Sequence, residues 1–193
     1  MPRVVTKKKS SRGAAYRCDV CPNPIVAGEQ YHEWSFRYGG THRQHASHGH
    51  PKPSQLTQSK MSGVYMAVEA AEADIAAAED VQGLRDALQA CADAVREVAG
   101  EYEESIQNMP EGLQQGPKAE EMQEKVDGLN DFADSLESAD LEDWEAGSLE
   151  EGVVSDEDAD EDDEPTNADG ITLADHMDTQ RDLANDALAE LSV

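Results

Sequence analysis

Apolar positions recur at helical spacing along most of this chain and at strand spacing over one short stretch near its start. Trp34-Ser35-Phe36-Arg37-Tyr38 alternates with period two and ends in Gly39-Gly40, which predicts a strand running into a tight turn. With Ile25-Val26, Gly28-Glu29 and Tyr31 before it, the stretch reads as a knuckle followed by a hairpin. From about Ser54 the period changes. Leu56, Lys60, Val64, Val68, Ala71, Ile75 and Ala78 follow steps of four and three, and Ser54 after Pro53 has the side chain of an N-cap. A second stripe runs Leu84, Leu88, Cys91, Val95, Val98, Tyr102, Ile106 and Met109, and Pro110 and Gly112 end it. Between the two, Asp80-Val81-Gln82-Gly83 supplies a cap and a glycine where the chain can reverse. A third stripe follows Pro117 through Met122, Val126, Leu129, Phe132 or Ala133, and Leu136. Each stripe takes only two positions in seven and is rich in alanine, so it predicts close packing along a narrow seam, as in a coiled coil. A last patch, from Ile171 through Leu173, Met177, Leu183, Leu188 and Leu191, predicts a C-terminal helix starting near Thr172.

The expected fold is therefore mainly α: a small N-terminal metal-binding module, an antiparallel helical hairpin or bundle, and an acidic disordered tail. The expected parts are a flexible basic arm at 1–15, the module at 16–53, the bundle at 54–140, an acidic disordered linker at 141–170 and a helix at 171–192. Charge sharpens this division. Residues 1–60 hold ten Lys and Arg against three acids, a net of +7, while the remaining 133 residues carry −34. Eight of the ten residues from Ser155 to Glu164 are Asp or Glu, a density of like charge that opposes compaction. Six of the nine aromatic residues lie between Tyr16 and Tyr65, so one large core is not expected. No apolar run approaches the roughly 20 residues that span a bilayer, and Lys7-Lys8-Lys9 leads into no signal-peptide core. A cytoplasmic location with no membrane contact is expected.

The chemistry concentrates in the first fifty residues. Cys18 and Cys21 form a C-x-x-C corner, and His42, His45, His48 and His50 follow at a loop's distance. Two thiolates in a tight turn and two imidazoles make a tetrahedral Zn²⁺ site. His42 with His45 is the preferred second pair, because i, i+3 spacing places both rings on one face at the start of a short helix; His48 is the alternative ligand. The third cysteine, Cys91, falls in a helical stripe and reads as a small buried hydrophobe, so no disulfide framework is available. A catalytic zinc site would need an open coordination position and a general base. Neither H-E-x-x-H nor the deaminase pattern of H-x-E followed by P-C-x-x-C is present, and no catalytic residue is assigned. A calcium loop fails as well, because Glu161 stands where Asp156, Asp158 and Asp160 would require glycine. Arg17, Arg37, Arg43 and Lys52 form the expected basic contact surface for nucleic acid or another partner.

The Cys18-x2-Cys21 corner, the Ile25-to-Tyr31 hairpin, the histidine cluster and Pro53-Ser54-Gln55-Leu56-Thr57-Gln58-Ser59-Lys60-Met61-Ser62 running into a long acidic helix resemble a known group. These are uncharacterised small treble-clef-like proteins of tailed bacteriophages of actinobacteria, and Glu101 to Gln114 extends the likeness over roughly residues 15 to 140. In that group the second ligand pair often includes cysteine; histidines stand there in this chain, which leaves ligands three and four open. The N-terminal module is also similar in outline to zinc fingers of poly(ADP-ribose) polymerase type and to LIM-like treble clefs, which bind DNA or proteins. The resemblance implies a phage-type, non-enzymatic zinc-binding adaptor with a protein partner, acting in the cytoplasm of an infected cell. Two further expectations accompany it. One is a nucleic-acid-binding regulator that uses the basic module, with the acidic tail tuning affinity; the other is a homodimer through the helical bundle.

Overall fold

Of the period-two stretch Trp34–Tyr38, Trp34–Phe36 is strand while Arg37 and Tyr38 lie in the turn that follows, and most of the 3.6-period stretches are helical. The computed structural model describes residues 2–7, 15–143 and 172–191. The expected disordered linker lies outside the described residues except for 141–143. The chain divides into two compact units, Met1–Met66 and Ala67–Val193, so the first reaches beyond the expected module end at residue 53.

In the first unit, β1 (Val5–Lys7), β4 (Tyr31–Phe36) and β5 (Gly40–His45) make a three-stranded antiparallel sheet in the order β1-β4-β5. Two short strands, β2 (Tyr16–Arg17) and β3 (Pro24–Ile25), pair as a separate antiparallel hairpin. Residues 5–7 of the expected flexible arm are thus a strand, with Val5 opposite Glu33 and Lys7 opposite Tyr31. Gly40 sets the β4–β5 turn with φ of 78°, a left-handed conformation that a side chain would strain. The register pairs His32 with Gln44 and Trp34 with His42 on one sheet face, and Tyr31 with His45 and Glu33 with Arg43 on the other.

Residues 49–56 cross the first of these faces. Gln44 Nε2 donates to Gly49 O (2.8 Å), Trp34 Nε1 donates to Gln55 O (3.2 Å), and the His32 and His50 rings meet at 5.3 Å. These tertiary hydrogen bonds change the expected helix start. Pro53–Leu56 is a 3₁₀ turn, Ser54 is not an α-helix cap, and α1 (Met61–Ala77) begins seven residues beyond Ser54.

The second unit is helical. α2 (Val81–Gln107) begins at Asp80, whose carboxylate accepts from Gly83 N (2.7 Å), so the expected cap residue starts a second helix three residues after α1 ends at Ala77. After the short α3 (Glu111–Gln114), α4 (Pro117–Glu137) starts with proline in its first turn and returns antiparallel along α2. Leu84, Leu88, Cys91, Val95 and Val98 are buried as the stripe predicts, but Ala87, Ala92 and Ala99 are buried beside them. α4 likewise buries both Phe132 and Ala133. The apolar face is therefore wider than a two-in-seven seam, and α5 (Leu173–Ala189) packs against both helices. Thr172 caps α5 by accepting from Asp175 N, as expected from sequence.

α5 docks through polar groups as well as apolar ones. Met177, Ala184 and Leu188 are buried, and so are His176 and Gln180. Gln180 Oε1 accepts from Glu142 N (2.9 Å) while His176 Nε2 lies 2.8 Å from Glu142 O, so one helix face satisfies both peptide groups of a single residue. Arg85 holds Asp143 and the carbonyl of Leu141, and Leu141 is buried, which makes the first three residues of the expected linker part of the helical unit. No helix among the described residues is long and apolar enough to cross a membrane.

Candidate metal centre

The loop between β2 and β3 carries Cys18 and Cys21, and the end of β5 with the 3₁₀ turn Ala46–His48 carries His45 and His48. One ligand atom from each of these four residues lies within 4.8 Å of all the others. Cys21 Sγ is 3.6 Å from His45 Nδ1 and 3.3 Å from His48 Nε2. Four side chains, two sulfurs and two nitrogens, thus converge on one point and can hold a metal ion.

Backbone geometry decides which histidines take part. His42 and His45 both belong to β5, where side chains three residues apart point to opposite faces of the sheet. The expected helical pair therefore does not form. His45 and His48 bracket a 3₁₀ turn instead, in which residues i and i+3 eclipse, and both rings reach the cysteines. His42 is used elsewhere. Its ring stacks on Trp34 (5.7 Å, 18°) and meets the edge of Phe36, and its Nδ1 is 3.0 Å from Asp19 Oδ2. His50 packs on His32 away from the cluster.

The knuckle is fixed to the sheet by its own backbone. Asp19 N donates to Arg43 O (2.8 Å), and Arg43 N donates back to the Asp19 carboxylate (3.2 Å). Beneath the knuckle, Cys18, Ile25 and Tyr31 form a small buried cluster with Tyr16 and Cys21 packed on it. Burial works to raise the Cys18 thiol, but N–H groups of Val20, His45 and Cys21 and the Cys21 side chain bond to its sulfur and bring it down to about 6. The Cys21 thiol is pushed up, first by burial and then by the neighbouring Cys18 sulfur and Glu29 carboxylate. One corner of the site is thus ready to bind as thiolate, and the other must lose its proton when a metal enters.

Sequence reading missed Glu29. Its Oε2 accepts from Val26 N (2.8 Å) and lies 3.5 Å from His45 Nε2, the ring nitrogen other than the one facing Cys21. A carboxylate behind a ligating imidazole fixes its tautomer and orientation. The turn Val26-Ala27-Gly28-Glu29 gave a signal only as a hairpin, because nothing in spacing reveals which side chain folds back.

The expected basic surface separates into two kinds of residue. Arg43 is internal to the module: its Nε donates to Glu33 (2.8 Å) and its guanidinium lies 4.2 Å over the Tyr16 ring. Arg17, Arg37 and Lys52 are exposed. No protein-family model, no curated protein and no solved structure matches the chain.

Proposed function

We propose that the chain is a non-enzymatic zinc-binding adaptor, whose metal builds a treble-clef-like interaction module for a protein partner. The observation that carries this reading is the convergence of Cys18, Cys21, His45 and His48. Zinc–sulfur bonds of about 2.3 Å and zinc–nitrogen bonds of about 2.0–2.1 Å at tetrahedral angles put sulfur and nitrogen roughly 3.5 Å apart. The two sulfur–nitrogen separations given above bracket that value. A mixed thiolate and imidazole set favours zinc over the hard cations, which prefer oxygen.

Four protein ligands close a tetrahedral shell, which is the arrangement of structural zinc; catalytic zinc keeps a position for water. The order of elements supports a treble-clef-like reading: a thiol knuckle, then a hairpin, then a helical turn bearing the last ligands. Together with the sequence resemblance, this supports a phage-type adaptor acting in the cytoplasm of an infected cell. X-ray absorption on the purified full-length protein tests the centre. One zinc per chain with two sulfur and two nitrogen scatterers is the expected result; a protein isolated without metal, or a shell with an oxygen in place of one imidazole, overturns it.

A further inference from the structure

We infer that the tip of the β4–β5 hairpin and the cleft beside it bind single-stranded nucleic acid, one base stacking on Tyr38 and a neighbouring base entering the cleft. The inference rests on the fold of the zinc module and adds a nucleic-acid ligand to the protein partner proposed above. Three observations support it.

The first is charge. All three acids of residues 1–60 are engaged within the module: Asp19 with His42, Glu29 with His45, and Glu33 with Arg43 and Lys7. Among the described residues, Arg17, Arg37 and Lys52 face no carboxylate at ion-pair distance. These three exposed cations are therefore available to a phosphate chain.

The second is the tip itself. Tyr38 is 88% exposed, the largest exposure among the large apolar side chains of the described residues, and the Arg37 guanidinium lies 5.3 Å from its ring centre. An exposed aromatic face next to a cation is what a base with its phosphate requires.

The third is an open cleft of about 390 Å³ that touches the hairpin at Phe36 and is otherwise lined by Pro2, Leu56, Met61 and Tyr65 with Thr57, Gln58 and Ser59. Two rings and a leucine offer flat apolar contact, while hydroxyl and amide groups at the rim can read a base edge. Gly39 connects tip and cleft. A Cβ there would lie 2.0 Å from Gln58 Nε2, so the missing side chain is what lets the Gln58 amide lie across the turn. In a duplex the base faces are stacked and the Watson–Crick edges are paired, so a base that stacks on Tyr38 must come from a single strand.

The test uses the zinc-loaded full chain and fluorescein-labelled dT20, U20 and a 20-base-pair duplex, followed by anisotropy at several salt concentrations. Both or one of the single strands should bind at least about tenfold more tightly than the duplex, and the dT20 and U20 arms decide between DNA and RNA. Tyr38→Ala should weaken binding by roughly 5- to 150-fold, the value of one stacked base, and Tyr38→Phe should restore it. Arg37→Gln should lower the slope of log affinity against log salt by about 0.7. Gly39→Ala, which displaces only the flexible end of Gln58, should weaken binding without changing the circular dichroism. The acidic remainder is the same in parent and variants, so the comparisons among them on one strand hold whatever it contributes. Equal binding of strand and duplex, or a Tyr38→Ala variant that binds like the parent, overturns the inference. Zinc content is measured on the same samples: zinc-loaded protein that ignores both strands sinks this inference alone, and zinc-free protein sinks the metal centre whatever it binds.

Discussion

His42 and His48 lie on either side of His45, and substitutions at the two should part company. His48→Ala removes a ligand and should abolish stoichiometric zinc binding, whereas His42→Ala should keep the metal and cost roughly 1–2 kcal/mol of stability through the lost Asp19 hydrogen bond and Trp34 stacking. Zinc content and thermal unfolding of the two variants measure this. Glu29→Gln should weaken zinc affinity by roughly 10- to 100-fold, as loss of a carboxylate behind a ligating imidazole does, and competition with a chromogenic chelator reads it out. The two cysteines were legible because a C-x-x-C corner needs only local chain. The histidines were ambiguous, since i, i+3 spacing means convergence on a helical turn and divergence on a strand, and four candidates in nine residues straddle the change from one to the other.

At the level of elements, periodicity revealed the helices and missed their partners. Val126, Leu129 and Leu136 are buried where the α4 stripe places them, and Leu129→Ala should cost about 2–5 kcal/mol, seen as a lowered midpoint of the helical transition in urea. Ala87, Ala92 and Ala99 escaped the reading because alanine suits a seam and a surface equally, and only the packed helices show them buried. Exposed polar pairs join the same helices. Arg96 hydrogen-bonds Glu137 and Asp134, and this holds the Glu137 carboxyl down to about 2, with Gln89 assisting. A depressed carboxyl stabilises the folded state above its ordinary value near 4.5 and loses that contribution as pH falls toward about 2. The Glu137→Gln variant should therefore differ from the parent at pH 6 and converge with it near pH 2, as followed by helical circular dichroism. The expected helix start at Ser54 failed for a related reason: Trp34 and Gln44 claim carbonyls in residues 49–56, and a distant donor cannot be read from local pattern.

For the whole molecule, two units with different sources of stability should respond separately to the loss of metal. The first has few buried side chains, so chelation should unfold much of Met1–Met66 while the helical signal of Ala67–Val193 persists, and new protease cuts should appear near Trp34. The division between a basic front and an acidic remainder was plain from composition, but how residues 141–143 and 172–191 join the helices was not. The grip of His176 and Gln180 on the peptide of Glu142 extends that point. Since these contacts are made by residues 141–143 and 172–191 themselves, covalent continuity between 143 and 172 is dispensable in principle. A chain ending at residue 143 and a separate peptide carrying 172–193 should reassemble on mixing, much as a cut hinge still seats when its pin is returned.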